Sequence, residues 1–439
     1  MSEPRQTRIV ILGGGFGGLY AALELEKVLV RRNDLQVTLV NRENFFLFTP
    51  MLHEVAASDL DVTHIVNPVR KLLKRVQFFE GEVSAIDLEK KTVSVVHTDG
   101  SHGHELPYDQ LVLGLGSVTN FFGLPGLAER AFTMKSLGDA LSLRNRLIAN
   151  LEAADFECAS GSREPLLTVV VAGGGFAGVE TAAGTYDFVR EALPFYPHVS
   201  EELVRMVLVH PGTHLLPELG EKLGSYAGRV LQSRGIEVRL GTRVKAVTEA
   251  GVVLSNGEHI QTTTLVWTAG SSAHPLLQSL SLKKEKGRLV TDEFLRVPGA
   301  SSVWATGDCA LIPDRARGGY FPPTAQHALR EGRTLARNLV SVIEGRPLTA
   351  FVFTTLGQLA AIGKRRGVAR VFGINFSGFF AWWLWRTIYL AKLPRFEKKV
   401  RVALDWTLDL IFSKDLVQLQ TPRSRGVSEA VEMPKAKTA

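Results

Sequence analysis

The sequence predicts an α/β protein containing two Rossmann-like domains, and two observations carry that prediction. A glycine turn of the form G-x-G-x-x-G follows a short apolar run and precedes a helical pattern. The same arrangement returns 160 residues later. The length of 439 residues has room for roughly two or three domains. With 45% hydrophobic and 22% charged residues, the chain is not broadly disordered.

Residues 8–12 (RIVIL) form an apolar, β-branched run that reads as a buried parallel strand. The turn at residues 13–18 follows, then LYAALELEKVL with helical spacing, then a second strand at 36–40 (QVTLV). Together they make one βαβ unit. A hairpin-like stretch spans 81–98, and 111–117 (LVLGLGS) is a strand running into glycines. The second copy has a strand at 167–172, a turn at 173–178, a helix over 179–193 and a strand at 205–209. Another hairpin-like stretch covers 234–264, followed by 265–271 (LVWTAGS) and, later, 303–310 (VWATGDCA). A spacing of 160 residues is too long for a solenoid repeat, so the copies read as separate nucleotide-binding domains. The polar tail over 421–439 is expected to be disordered.

The chemistry of the turns follows from their glycines. Gly13 permits the tight turn, Gly15 lets a pyrophosphate approach the backbone, and Gly18 lets helix and strand pack closely. The helix N-terminus adds unpaired N–H groups that suit an anion. Gly173, Gly175 and Gly178 repeat the pattern. Phe16 and Phe176 lie within the two turns and are counted with them, and Gly270 is assigned to the second site. Two dinucleotide sites in one chain suggest a flavin, FAD, paired with a nicotinamide, because their rings exchange a hydride. Asn41 and His210 stand where an acid usually binds the adenosine ribose. Asn41 retains hydrogen-bonding capacity for a ribose hydroxyl. His210 removes the charge that repels a 2′-phosphate, yet no arginine follows it at once, so the choice between NADH and NADPH stays open.

Cys158 and Cys309 can build neither a disulfide framework nor a four-thiolate metal site, and no CxxC redox motif is present. Cys309 reads as a small buried residue. His53, His64 and His327 lack metal-ligand spacing, and no metal is expected. The N-terminus does not read as a secretory signal, so a reduced, cytosolic setting is expected.

Charge is concentrated near the C-terminus. Residues 364–401 hold ten basic side chains and one acid, Glu397, and Trp382, Trp383 and Trp385 lie among them, with Trp406 just beyond. The apolar stretch 379–391 has 13 residues and contains Arg386, whereas a spanning helix needs about 20. Pro394 then interrupts it, and a second helix is expected over 398–412. There Val400, Leu404, Leu408 and Ile411 share one face, while Arg401, Asp405 and Asp409 line another. This pattern fits helices lying on an anionic bilayer, with Trp at the headgroups and Lys and Arg reaching phosphates. Nucleic acid is not expected, since no binding module for it accompanies the patch.

Taken together, the segments ILGGGFGGLYAA, VTLVNRENFFLFTPMLHEVA, LGLGSVTNFFGLPG, VVVAGGGFAGVE, WATGDCA and PPTAQHALREGRTLARN, with the aromatic C-terminus, resemble the type II NADH:quinone oxidoreductases. The resemblance covers about residues 8–419. It implies that the NAD domain is inserted in the FAD domain, with FAD at 1–120 and 291–375, NADH at 121–290, and a membrane-associated helical region at 376–420. It further implies that Gly13, Gly15, Gly18, Arg42 and Asp308 serve FAD, with Asp308 on the ribityl chain and Gln326 near the flavin ring. Gly173, Gly175 and Gly178 would receive NADH, and Glu180 would lie beside nicotinamide and flavin. Glu180, Gln326 and Arg330 are the implied catalytic residues, Arg330 standing where the family usually has a second glutamine. The implied activity is electron transfer from NADH through FAD to a membrane quinone without proton pumping, by a peripheral protein on the cytoplasmic face, with a homodimer as the candidate assembly. Two alternatives are a reductase serving a soluble acceptor such as ferredoxin, and a non-catalytic flavin-containing membrane adaptor. Sulfide chemistry is disfavoured by the lack of paired cysteines.

Overall fold

The structure, a computed structural model, describes residues 6–98, 100–156 and 160–419. The first five residues, Cys158 and the tail at 421–439 lie outside the described residues. The chain divides into two compact units. One holds the described residues up to Phe48 with Val66–Asn120 and Ser271–Leu356; the other holds Thr49–Ile65, Phe121–Gly270 and the described residues from Gly357.

The first unit is built on a five-stranded parallel sheet. Its central strand Thr7–Leu12 pairs with Leu35–Asn41, which pairs with Gln77–Glu80. On its other side lie Gln110–Leu113 and then Val303–Ala305. Ile9, Ile11 and Leu12 are buried, which is why the run is apolar rather than alternating. The chain steps outward to Gln77–Glu80, makes the antiparallel meander Glu82–Asp87, Thr92–Val96 and Gly103–Pro107, and returns to the opposite side of the first strand. That reversal opens a crevice at the C-terminal end of Thr7–Leu12, where the first glycine turn emerges.

Two helices of this unit touch backbone to backbone. A Cβ on Gly332, in helix Ala325–Ile343, would lie 2.1 Å from the carbonyl oxygen of Gly17 and 3.0 Å from the nitrogen of Ala21, both in helix Phe16–Val28. Only a hydrogen fits there.

The second unit repeats the plan. Thr168–Ala172, buried throughout, is flanked by Arg205–His210 and Ile236–Leu240 on one side and by Thr264–Trp267 and Ala131–Phe132 on the other, all parallel. Its core joins Val170, Val207, Leu265 and Trp267 of that sheet to Val252, Leu254 and Ile260 of an antiparallel meander. The same unit contains the 20-residue helix Leu137–Phe156, an antiparallel sheet of Gly357–Ala361, Gly367–Val371 and Ile374–Gly378, and helices Phe379–Lys392 and Phe396–Leu408.

Several expected boundaries move. Ile236–Leu240 joins the parallel sheet by pairing with Arg205–His210, so only the meander from Val244 is hairpin-like. Residues 271–290, expected with the NADH domain, belong to the first unit because Ser271–Ala273 pairs with Ser117–Thr119. Residues 49–65 and 357–375, expected with the FAD domain, belong to the second unit. There a Cβ on Gly184 would meet Ala57 Cβ at 3.3 Å, and Ala361 donates its N–H to Glu180. The glycine-turn helices begin at Phe16 and Phe176, immediately after the second motif glycine, and the last helix is Phe396–Leu408.

A Gly332→Val substitution should force the two helices apart at Gly17. It is expected to cost about 1–3 kcal/mol, as overpacking does, and to appear as a lower unfolding midpoint in thermal melts. A midpoint equal to that of the parent would contradict the backbone contact.

Candidate cofactor-binding and catalytic sites

The two glycine turns share a geometry set by close backbone approaches. A Cβ on Gly18 would sit 1.9 Å from the Gly13 carbonyl oxygen, and one on Gly178 would sit 1.7 Å from that of Gly173. Gly13 and Gly173 have φ of +96° and +123°, which side chains rarely adopt. By contrast, a Cβ on Gly15 or on Gly175 would meet no protein atom within 4 Å. Each middle glycine therefore borders open space at the start of a helix of 13 or 17 residues. Such a space, beside free helix N–H groups, fits a pyrophosphate. Gly270, at φ +80° and exposed, ends the loop after Thr264–Trp267. In that loop Thr268 Oγ1 donates to the carbonyl of Ala172 at 3.0 Å, next to the second turn.

The strand-end residues brace these turns. Asn41 Oδ1 accepts from Gly14 N–H at 2.7 Å, and its Nδ2 donates to the Glu43 carbonyl at 2.7 Å. His210 Nδ1 accepts from Gly174 N–H at 3.1 Å. The strand-end position predicts Asn41 as a partner for ribose; its bracing of the turn is not legible from spacing. Arg42 is half-exposed and pairs with Glu43 at 3.4 Å. The Phe16 ring packs edge-on against Phe46, with centroids 5.0 Å apart, so it also supports the turn; Phe176 is half-buried.

In the first unit, Asp308 lies on the single turn Gly307–Cys309, and its Oδ2 accepts from Ser117 Oγ at 2.8 Å. A residue outside the sequence-predicted site, Glu331, holds this turn. Buried Glu331 accepts from Gly307 N–H at 2.8 Å and from Thr306 Oγ1 at 3.3 Å. Burial pushes its carboxyl up to about 7. A charged residue on the buried face of helix Ala325–Ile343 was the available signal. A Cβ on Gly17 would meet Thr306 Cγ2 at 2.8 Å, and one on Gly307 would meet Ala328 Cβ at 3.7 Å. The unit thus gathers the first glycine-turn helix, the Asp308 turn and the start of the Gln326 helix. Cys309 is buried, and its Sγ lies 3.3 Å from the carbonyls of Leu113 and Thr306. Burial pushes its thiol up to about 11, so it packs rather than reacts.

Gln326 and Arg330 lie one turn apart in Ala325–Ile343. Arg330 Nη1 donates to the Gln326 carbonyl at 2.7 Å, and its guanidinium lies 4.0 Å from the centre of the Phe353 ring. His327 exchanges a hydrogen bond with Thr324 Oγ1 at 2.7 Å and is pushed down to about 4 by burial and Arg330. It is a neutral histidine with a hydroxyl partner.

In the second unit Glu180 is buried. Its Oε1 accepts from Trp385 Nε1 at 3.0 Å and from Ala361 N–H at 3.1 Å, and its Oε2 lies 3.7 Å from His53 Nδ1. Burial pushes the carboxyl up to about 8 despite these donors, and holds His53 down at about 3. At neutral pH Glu180 therefore holds a proton at a carboxyl oxygen. Glu54, also buried, accepts from Trp406 Nε1 at 3.1 Å and is likewise raised to about 8 by burial.

Of the C-terminal Trp and basic residues expected at the headgroups, several turn inward instead. Trp385 and Trp406 are buried as donors to the two acids, and Arg386 lies between the Trp382 and Trp406 rings, 4.3 and 4.6 Å from their centres. Lys398 is buried and donates to the Thr63 carbonyl. Four expected apolar residues do face outward: Val400, Leu404, Leu408 and Ile411 are 42, 55, 49 and 73% exposed, and Phe379, Phe380 and Trp383 are exposed as well. No helix among the described residues is long and apolar enough to cross a membrane. No group of three or more potential metal ligands occurs among them.

Two such turns on two parallel sheets define an oxidoreductase of the two-dinucleotide class. The family model for the pyridine nucleotide-disulphide oxidoreductases matches residues 7–332, and that for the NDH2 C-terminal domain matches residues 356–415. A probable NADH dehydrogenase of Dictyostelium discoideum is 33% identical, covering 93% of this chain and 90% of its own. The type II NADH:quinone oxidoreductase Ndh of Mycobacterium tuberculosis is 31% identical over 94% of this chain and 89% of its own. The chain belongs to the type II NADH:quinone oxidoreductase family. The solved structure of Plasmodium falciparum NDH2 in complex with NADH has the same fold, with a TM-score of 0.87 at 21% identity over 94% of this chain and all of that one.

Because Glu180 is protonated in the folded protein and ionised in the unfolded chain, its contribution to stability is full below about 4.5 and is lost as pH rises to about 8. Glu54 adds in the same direction. Thermal melts between pH 5 and 9 should therefore show a falling midpoint, and the fall should be shallower in Glu180→Gln. Parallel curves for parent and variant would show that Glu180 is ionised in the folded state.

Proposed function

We propose that this protein oxidises NADH and passes the electrons through FAD to a membrane quinone, without pumping protons. The observation that carries the reading is the pair of open spaces at Gly15 and Gly175, each framed by backbone contacts that only glycine allows. Bound FAD would supply the two-electron chemistry that links a nicotinamide hydride to a quinone.

The chain's own part is binding, orientation and proton holding. Gly13, Gly15 and Gly18, with Phe16 and the Asn41 brace, hold the FAD pyrophosphate at the helix terminus, and Arg42 lies toward the adenosine. Asp308 would hydrogen-bond a ribityl hydroxyl, a reading supported by its contact with Ser117 and by the Glu331-anchored turn that carries it. Gly173, Gly175 and Gly178, with Phe176 and Gly270, receive NADH. Glu180 is the proton-holding group, kept neutral by burial. Gln326 orients quinone near the flavin ring, and Arg330, fixed on Phe353, assists as a fixed cation.

The protein binds the bilayer peripherally. Exposed Phe379, Phe380, Trp383, Val400, Leu404, Leu408 and Ile411 supply apolar area, at about 25 cal/mol per Å² removed from water. Exposed cations of the same segment, Arg365, Arg366 and Arg370, would face an anionic leaflet, worth about 1 kcal/mol each near the surface. That charge preference supports the cytoplasmic face. A homodimer remains part of the proposal, and nucleic acid is no part of it. These exposed apolar residues disfavour a soluble acceptor such as ferredoxin.

Detergent-purified protein should be yellow, bleach on anaerobic addition of NADH, and recover its colour when a soluble quinone is added. Colour that persists under NADH would point to the non-catalytic adaptor, and recovery only with ferredoxin would point to the soluble-acceptor enzyme. In a separate measurement, the protein should pellet with vesicles containing anionic lipid. Leu404→Glu with Ile411→Glu should reduce the pelleted fraction severalfold, and an unchanged fraction would remove these residues from the membrane contact.

A further inference from the structure

We infer that His97 and His104, at the tip of the antiparallel meander in the first unit, form a binding site for a divalent transition-metal ion of the zinc class, which clips two strands together. Neither histidine belongs to a glycine turn or to the helix bearing Gln326.

The meander is built so that the two rings meet. Thr92–Val96 runs antiparallel to Gly103–Pro107, with Val95 opposite His104 and Val96 opposite Gly103. His97 N–H donates to the His102 carbonyl at 3.0 Å and carries the ladder one step further. Side chains alternate across a strand, so Val93, Val95 and His97 share a face with His104 and Leu106. Val93 and Val95 are buried, whereas His104 is exposed. Toward the tip that face leaves the core, and imidazoles take the place of aliphatic side chains. Phe79, on strand Gln77–Glu80 of the parallel sheet, packs on both rings, with centres 5.3 Å from that of His97 and 5.2 Å from that of His104. The shared aromatic contact restricts how either imidazole can turn.

The Nε2 atoms of His97 and His104 lie 3.1 Å apart, and their ring planes cross at 78°. Two neutral imidazoles at that distance share one proton, one Nε2–H donating and the other Nε2 accepting. The same spacing suits a metal ion. Zinc holds imidazole nitrogen at about 2.0–2.1 Å, so two ligands of one ion stand about 2.9 Å apart at a right angle and about 3.4 Å apart at the tetrahedral angle. The observed separation falls between these limits. On binding, the donor ring passes its Nε2 proton through solvent to Nδ1. Both Nε2 lone pairs then face the ion, and a neutral pair releases no net proton. Imidazole favours zinc and its transition-metal neighbours, whereas magnesium and calcium take oxygen ligands. No third His, Cys, Asp or Glu joins the pair among the described residues, so water completes the coordination and the ion exchanges. Gly103–Pro107 is an edge strand of its three-stranded sheet, and the bound ion ties it to the central strand.

The test uses untagged full-length protein in detergent, stripped with a chelator and titrated with Zn2+ by calorimetry at pH 7.5. The tightest Zn2+ affinity of the parent should fall at least about tenfold in His97→Gln and in His104→Gln, as loss of a group that holds a metal does. His102→Gln, which removes the histidine between them, should bind as the parent does. A second measurement reads the site locally. Zn2+ should slow carbethoxylation of His97 and His104 by diethyl pyrocarbonate severalfold, followed by peptide mass, and should leave exposed His259 unaffected. No Zn2+ binding by the parent, equal affinity in the parent and the first two variants, or labelling of the pair indifferent to Zn2+ would each overturn the inference. An equal loss in His102→Gln would overturn the two-histidine ligand set. All of these outcomes leave the proposed electron transfer untouched.

Discussion

Everything in this molecule starts from how closely two pieces of backbone can approach. At Gly18 and Gly178 a single added carbon would overlap the carbonyl oxygen that opens the same turn. The helix can therefore rise directly from the end of the central strand, and its free N–H groups point into the crevice where the sheet order reverses. The same constraint recurs at Gly332, where the helix bearing Gln326 lies against the helix that follows the first turn. Sterics places the binding elements first, and hydrogen bonds then fix the turns, from Asn41 in one unit and His210 in the other.

The C-terminal segment shows how composition can serve two ends at once. Trp385 and Trp406 each bring an indole N–H to a buried carboxyl, on Glu180 and Glu54. A buried acid without a donor is costly, and an ionised one more so. These acids meet that cost by staying protonated and by accepting from tryptophan. The same helices turn Phe380, Trp383, Leu404 and Leu408 outward. One short sequence therefore closes over an acidic interior and presents an apolar exterior.

Local features were legible in the sequence. Both glycine turns, their strands and the helices after them lie close to where spacing placed them, because those motifs carry their own steric logic. The short motifs that contain Glu180 and Asp308 fall on the helix after the second turn and on the single turn Gly307–Cys309. What spacing does not reveal is long-range pairing. Ser271–Ala273 joins Ser117–Thr119 across some 150 residues, and no local pattern announces that partner. Trp385 reads as an interfacial aromatic until Glu180, 205 positions earlier, is found beneath it. Glu331 looks like one more surface charge on an amphipathic helix until Gly307 is seen donating to it. In each case the missing information is the identity of a distant polar partner, which hydrophobic periodicity does not encode.

Cys309 follows Asp308 in the chain, and its sulfur is shut in against two carbonyl oxygens. Its thiolate is scarce while the turn is closed, so alkylating reagents reach it only when that segment breathes. In a protein whose other cysteine has been replaced by serine, the rate of labelling becomes a clock for excursions of the Asp308 turn, read by mass alone.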